Sequence, residues 1–499
     1  MCLRFHLPTG SLVCLAAVLG ALTAAVPAAA LAAPGDIYTV AGNGTSGFAG
    51  DGGPATSAEL SFPAGAAALP SGGFLIADRG NCVVRRVSPA GKISTVAGTA
   101  PSPGTHCGYS GDGVTATSAE LGDKLGSLAP LPNGGFLIDD GRNCLIRRVS
   151  RTGIISAVAG TTAGAGTDSN CGYGGDGGPA LGAMLGKDTF EAGVALVRGG
   201  GYVIADVSNC LIRKVSPTGM ISTVAGLTAG AGSGTNCGYS GDNGPATAAG
   251  LKFPDGVAGL PGGGFLIVDS VGTCRVRRVS PGGTITLAAG TPACGYSGDG
   301  GPATSAQLGY SLSNVYALSR GGFLIADLTN CIVRQVSAGG RIATVAGTPP
   351  TGSTTHCGYT GDGHPATSAT LSEPSAVAAA SDGGFYIADY ANSVIRRVAG
   401  FPPRVTITGH PKAKLSTKHK KVTVRFSFRS NEALSTFKCK LDRDILFRPC
   451  SSPAAYRVKP GTHTFSVFAT NEFHATGPVS SFSFQVKHKH KHKHKQKKH

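Results

Sequence analysis

The strongest constraint on this chain is that it repeats itself. Its most regular stretch reads Gly73-Phe74-Leu75-Ile76-Ala77-Asp78, then Asn81-Cys82-Val83-Val84-Arg85-Arg86-Val87. The aspartate recurs as Asp140, Asp206, Asp269, Asp327 and Asp389, at steps of 62, 66, 63, 58 and 62 residues. Such steps are too long for a leucine-rich or helical repeat and suit four short strands with their loops. Within the first unit the expected strands are Ala66–Leu69, Phe74–Ala77, Cys82–Val87 and Ile93–Ala97, separated by Gly-, Pro- and Ser-rich turns. Six units of four antiparallel strands predict an all-β, six-bladed β-propeller.

The ends of the repeat predict closure. The last unit stops after Ile395-Arg396-Arg397-Val398 without a fourth strand, while a spare strand, Ile37-Tyr38-Thr39-Val40-Ala41-Gly42, precedes the first unit. The N-terminal strand is expected to complete the sixth blade and remove its open edge. The cysteines agree. Each of the first five units has one cysteine opening its third strand and another after its fourth, giving Cys82–Cys107, Cys144–Cys171, Cys210–Cys237, Cys274–Cys294 and Cys331–Cys357 as expected disulfides. The corresponding positions of the sixth unit are both serine, Ser393 and Ser46. Loss of both halves of one bridge is what a closed ring predicts.

Composition fits turns rather than helices. The chain has 77 glycines and 30 prolines in 499 residues, and no long Gly- and Pro-free stretch sustains a 3.6-residue pattern. Arg4, the apolar run from Ser11 to Leu31 and the small residues before Pro34 resemble an export signal, residues 1–33. Its removal takes Cys2 and Cys14 and leaves an even set of cysteines, as an oxidising compartment favours. No later segment is long and apolar enough to span a membrane. The mature protein is expected to be a secreted, extracellular monomer associated with the cell wall.

Charge divides the chain. Residues 34–400 carry 22 Lys+Arg against 23 acids, whereas residues 401–499 carry 21 against 4. The basic character therefore belongs to the C-terminal fifth.

The motif Leu-Ile-Ala-Asp-x-x-Asn-x-x-x-Arg resembles the NHL repeat. The following Thr-Val-Ala-Gly and Gly-Asp-Gly-Gly-Pro-Ala elements resemble extracellular NHL propellers, including the teneurin type. The resemblance covers about residues 36–400 and implies a six-bladed propeller over the domain 34–400. It does not imply one function, because this fold carries binding modules, lyases and lactonase-like enzymes. In the C-terminal module, residues 401–486, the linker Phe401-Pro402-Pro403 is followed by residues 404–486, which alternate as short strands. The run Phe437-Lys438-Cys439-Lys440-Leu441-Asp442 with Arg448-Pro449-Cys450 resembles bacterial Ig-like sandwich modules, with Cys439 and Cys450 expected to cross-link a hairpin. Such modules usually space or adhere.

Three sets of residues bear on function. The Asp column pairs with an Arg column (Arg85, Arg147, Arg213, Arg277, Arg334 and Arg396). A charge-assisted tie between strands two and three explains that pairing better than six binding sites. A second ring lies in the loops leaving strand four. Phe48, Tyr109, Tyr173, Tyr239, Tyr296 and Tyr359 each precede an aspartate three residues on. This ring is the candidate ligand face, with a disulfide-anchored turn as the competing reading. Its Asp-Gly-Gly sequences hint at Ca2+, but one carboxylate per loop supplies too few ligands, so no cofactor is expected. The third set is axial. Glu191, Asp255 and Glu373 are the only acids expected there, and His106, His356 and His364 fall in outer loops, so a His-rich zinc site is missing. A metal held by Glu191, Asp255 and Asn314 is the alternative.

The Lys/His tail, residues 487–499, cannot bury a core and is expected to be disordered. It would attract an anionic cell-surface polymer. Specific nucleic-acid binding is not expected, because no aromatics interleave with the charges. Together these features predict a non-enzymatic binding or adhesion protein that presents a propeller face to a glycan or protein. The rival is a metal-dependent hydrolase or lyase with a site on the axis.

Overall fold

The computed structural model describes residues 35–99, 107–187, 193–319, 321–352, 354–380, 383–400, 403–430, 435–442, 444, 446–470 and 476–488. The expected signal segment, most of the Lys/His tail, His106 and Glu191 lie outside the described residues. Every extended element described is a strand, accompanied by short 3-10 turns.

Residues 36–398 build antiparallel sheets that each follow the chain. The first contains Pro63–Ala68, Phe74–Asp78, Val83–Val87 and Ile93–Ala97. Four more sheets repeat that plan. The sixth joins Pro374–Ala379, Phe385–Asp389 and Val394–Val398 to the N-terminal strand Asp36–Ala41, with Ile37 opposite Val398. The two-residue strand His364–Pro365 then pairs outside that N-terminal strand.

The sequence explains these elements. The second strand of each sheet is wholly buried, as in Phe74-Leu75-Ile76-Ala77-Asp78, so it has no polar face and its branched aliphatic residues suit a strand covered on both sides. Burial comes from the neighbouring sheets. One cluster joins Leu75, Ala77 and Val84 of the first sheet to Leu125, Phe136 and Ile138 of the second. Another joins Ala376, Tyr386 and Ile395 of the sixth to Phe74, Ile76 and Val87 of the first. Each fully buried Ile or Val contributes about 1.5–3 kcal/mol.

Two boundaries differ from the expected ones. The innermost strand runs Pro63–Ala68 rather than Ala66–Leu69, because a bulge between Pro63 and Gly65 lets proline start the pairing opposite Asp78. Cys82 falls outside the third strand because it adopts a left-handed conformation, φ 53°. Cys144, Cys210, Cys274 and Cys331 do the same, and so does Ser393 at φ 55°. The turn therefore sets this conformation, and the disulfide exploits it.

All six expected cysteine pairs are joined, with Cα–Cα separations from 5.3 Å at Cys331–Cys357 to 5.8 Å at Cys439–Cys450. The C-terminal residues form two sheets. One contains Val405–Gly409, Val422–Ser430 and Ala454–Val458; the other contains Lys414–Thr417, Ser480–His488, Gly461–Thr470, Thr436–Leu441 and Arg448–Cys450. Both contribute to a core centred on Phe426, Phe465 and Val467. Lys487 and His488, read from sequence as the start of the tail, end a strand that pairs in parallel with Ser416 and Thr417.

Candidate functional site

The Arg column lies at the centre of the repeated geometry. All six guanidinium-bearing side chains are fully buried. Burying a charge requires compensating partners, and the terminal guanidinium nitrogens obtain them from the same places. Nε is bonded in Arg85 and Arg277 but not in Arg147, Arg213, Arg334 and Arg396. Arg147 donates to the carbonyls of Glu120 and Ser110 at 2.8 and 2.9 Å. It also pairs with Asp112 at 2.8 Å and Asp140 at 3.7 Å. Arg277 likewise donates to the Gly250 and Ser240 carbonyls, both at 2.8 Å, and pairs with Asp242 at 2.7 Å and Asp269 at 3.3 Å. The expected ion pair with the strand-two aspartate is thus present at Arg85, Arg147, Arg213, Arg277 and Arg396, at 3.3 to 3.7 Å. The shorter ion pair goes to the aspartate of the incoming loop, which is also where Arg334 pairs.

That loop aspartate does more. In the first sheet Asp51 takes Arg85 on Oδ1 at 2.6 Å, while Oδ2 accepts the Thr95 backbone N–H at 2.9 Å. Asp112 and Asp362 bond the outer-strand amides of Ala157 and Thr39 in the same way, each at 3.0 Å. Thr95 and Ala157 lie in the outermost strand of their sheets, and Thr39 lies beyond the two-residue pairing at Asp36 and Ile37, so strand pairing would leave these amides open. The loop therefore clamps the buried cation and covers an exposed strand edge with one carboxylate. Both oxygens of Asp51, Asp112 and Asp362 are thereby engaged within the fold.

The aromatic of each loop covers its arginine. Guanidinium-to-ring distances are 4.8 Å for Phe48, 5.2 Å for Tyr109, 5.3 Å for Tyr173, 4.7 Å for Tyr239, 5.1 Å for Tyr296 and 5.0 Å for Tyr359. Tyr109, Tyr173 and Tyr296 donate their hydroxyls to Asp112, Asp176 and Asp299 at 3.3, 3.2 and 3.0 Å. Tyr239 does the same to Asp242. The Tyr359 hydroxyl shares a hydrogen bond with Thr39 at 2.7 Å, and its ring is 46% exposed. The six aromatics occur one to a sheet, each fixed over its own cation.

Electrostatics follows the packing. Burial, tempered by hydrogen bonds from Ser61, Asn81 and Arg85, pushes the Asp78 carboxyl up to about 6. Asp269, Asp327 and Asp389 behave alike. Partial burial would also raise Asp51, but hydrogen bonds from Thr95 and the Arg85 charge outweigh it and hold the carboxyl below its usual value. Burial, then the bond to Asp242, raises the Tyr239 phenol to about 12. One carboxyl breaks the pattern. Asp139 lies beside Asp140, is 2% exposed, and has no hydrogen-bond partner for Oδ2. Burial and the neighbouring Asp140 charge raise it well above the ordinary range.

The innermost strands surround a cavity of about 240 Å³. At one position of the six strands its lining reads Ala67, Ala129, Ala195, Ala258, Tyr316 and Ala378. Asn314 and Tyr316 of the fifth sheet, with Ser127, are the polar side chains of this otherwise apolar lining. Among the described residues, those facing the cavity include no carboxylate and no imidazole. Asp255 is buried on an inner strand but is not part of the lining, and Glu373 sits at φ 51° just before Pro374. His356 hydrogen-bonds Thr351 in an outer loop, and His364 pairs with the N-terminal strand. No cluster of three or more His, Cys, Asp or Glu suited to a metal occurs among the described residues.

Comparison with known proteins adds fold information. The teneurin NHL domain matches residues 330–399. No curated protein matches the chain. Among solved structures, a structural genomics protein of unknown function from Bacteroides thetaiotaomicron is 17% identical with TM-score 0.50, covering 73% of this chain and 75% of its own. An auxiliary nutrient binding protein from the same organism is 14% identical with TM-score 0.47, over 72% and 75%. A virginiamycin B lyase from Staphylococcus aureus is 12% identical with TM-score 0.40, over 69% and 98%. Binding proteins and enzymes both occur among such neighbours. The family match over residues 330–399 and the structure with TM-score 0.50 are in keeping with the all-β, propeller-type arrangement of sheets described above and leave the chemistry to the site.

Proposed function

We propose that this chain is a secreted or cell-surface binding protein without catalytic activity. In this reading residues 34–400 form a six-bladed propeller closed by the N-terminal strand, and residues 401–486 form an Ig-like sandwich. The loop aromatics receive a glycan or protein ligand, and the basic C-terminal region attaches to an anionic polymer of the cell surface.

The observation that carries the reading is the fixed aromatic ring. Stacking on a buried guanidinium holds each part-exposed ring in place before any ligand arrives. A side chain already ordered loses little entropy on binding, which favours recognition by Tyr and Phe. The described lining of the axial cavity offers Ser127, Asn314, Tyr316 and backbone groups as polar contacts, while Glu191, a candidate metal ligand, lies outside the described residues.

The test is a glycan and protein panel probed with the full chain and with Tyr173→Ala and Tyr359→Ala. The expected result is a ligand whose affinity falls at least about tenfold in one of these variants, with unfolding midpoints close to wild type. Unchanged affinity in both variants, or ligand turnover, would reject the proposal.

A further inference from the structure

The C-terminal strands carry a charged surface distinct from the loop aromatics. In the sheet of Val405–Gly409, Val422–Ser430 and Ala454–Val458, alternate residues such as Val424, Phe426 and Phe428 are buried. The opposite face leaves Thr406, Thr408, Thr423, Arg425, Arg429 and Arg457 exposed. Pairing sets Thr423 opposite Arg457 and Thr406 opposite Arg429. Four residues along a strand separate Arg425 from Arg429 by about 13–14 Å, and Arg457 lies one strand away, about 5 Å across.

None of the three arginines makes an ion pair with a described residue, and no exposed position of these strands is acidic. Aligned like charges repel, so the face gains from any partner that brings periodic negative charge. Guanidinium groups suit oxyanions through bidentate hydrogen bonds. Threonine hydroxyls between them suit polyol hydroxyls. The exposed positions hold no aromatic side chain, which single-stranded nucleic acid needs for base stacking.

We propose that this sheet face binds a linear anionic polysaccharide, Arg425, Arg429 and Arg457 taking its sulfate, phosphate or carboxylate groups. The inference rests on the attachment reading above and moves the principal contact from the Lys/His tail to a folded surface.

The experiment uses the full chain with heparin, polygalacturonate, a phosphomannan and single-stranded DNA as probes, near physiological salt. R425Q/R429Q/R457Q is compared with K412Q/K414Q/K438Q, which removes the same charge elsewhere in the region, and with a chain ending at His488. A triple Arg→Lys variant keeps the charge and loses the fork geometry. Thermal unfolding confirms that each variant is folded.

The expected result is a loss of at least about tenfold for at least one polysaccharide in the Arg→Gln variant, less than about threefold in the Lys→Gln variant, and partial recovery with Arg→Lys. Equal losses in the two Gln variants would overturn the proposal. So would complete loss on removing the tail, or tighter binding to DNA than to every polysaccharide. If tail removal abolishes attachment to cell envelopes, this proposal fails and the attachment reading stands. If the intact chain binds no envelope at all, both fail.

Discussion

Replacing Asp139 with alanine should make the protein more stable, and increasingly so as pH rises. The strand positions matching Asp139 hold Ala77, Ala205, Val268, Ala326 and Ala388, so alanine is already accommodated there. Asp139 is almost fully buried with Oδ2 unpaired. A buried polar group without a partner costs about 1–3 kcal/mol, which the substitution removes. Ionisation adds a second contribution. The folded carboxyl is raised well above 3.8, so its share of stability is greatest below the unfolded value and falls as pH increases through the folded one. Between those limits the advantage of Asp139→Ala should grow by up to about 1.4 kcal/mol per pH unit. Urea unfolding of both proteins from pH 4 to pH 8, with disulfides intact, reads the difference directly. A gap that is constant with pH, or that narrows, would refute the reasoning.

Other perturbations have distinct signatures. Arg147→Leu leaves Asp140 buried without its cation and should lower stability by about 3–5 kcal/mol, measured as a shift in urea midpoint. Ile325→Ala, at a fully buried position, should cost about 2–5 kcal/mol in the same assay. Removing Cys331 and Cys357 together opens a bridge spanning 26 residues and should cost about 3–4 kcal/mol by thermal unfolding. Conversely, Ser46→Cys with Ser393→Cys should form a sixth propeller bridge, because Ser393 already holds the left-handed conformation of the bridged cysteines. Non-reducing peptide mapping would show it.

Much of the fold was legible because it is written six times. A pattern such as Phe-Leu-Ile-Ala-Asp identifies its strand locally, and the spare strand at Ile37 found its place because only one edge lacked a partner. The cysteine pairs followed from strand order. The sequence-level reading of the Arg column found its weaker partner, Asp78, seven residues away, and missed Asp51, 34 residues away. That contact depends on where a glycine-rich loop returns, which neither propensity nor periodicity encodes. A signal was nevertheless present, since each loop aromatic and aspartate recur at a nearly constant distance before an arginine. The strands Lys414–Thr417 and Ala454–Val458 were not legible, because mixed, short sequences gain strand structure from their neighbours. Asp139 could have been noticed as an acid where other repeats have Ala or Val.

The central claim is that the propeller recognises a ligand of its own while basic residues supply attachment. Binding of the purified full chain to isolated cell envelopes across a salt series tests it most directly. At about 1 M salt the screening length falls to about 3 Å, and attachment through exposed basic residues should be largely lost. The account predicts a fraction that remains bound at high salt and is reduced by Tyr173→Ala or Tyr359→Ala. Complete release by salt, with no effect of either substitution, would contradict it.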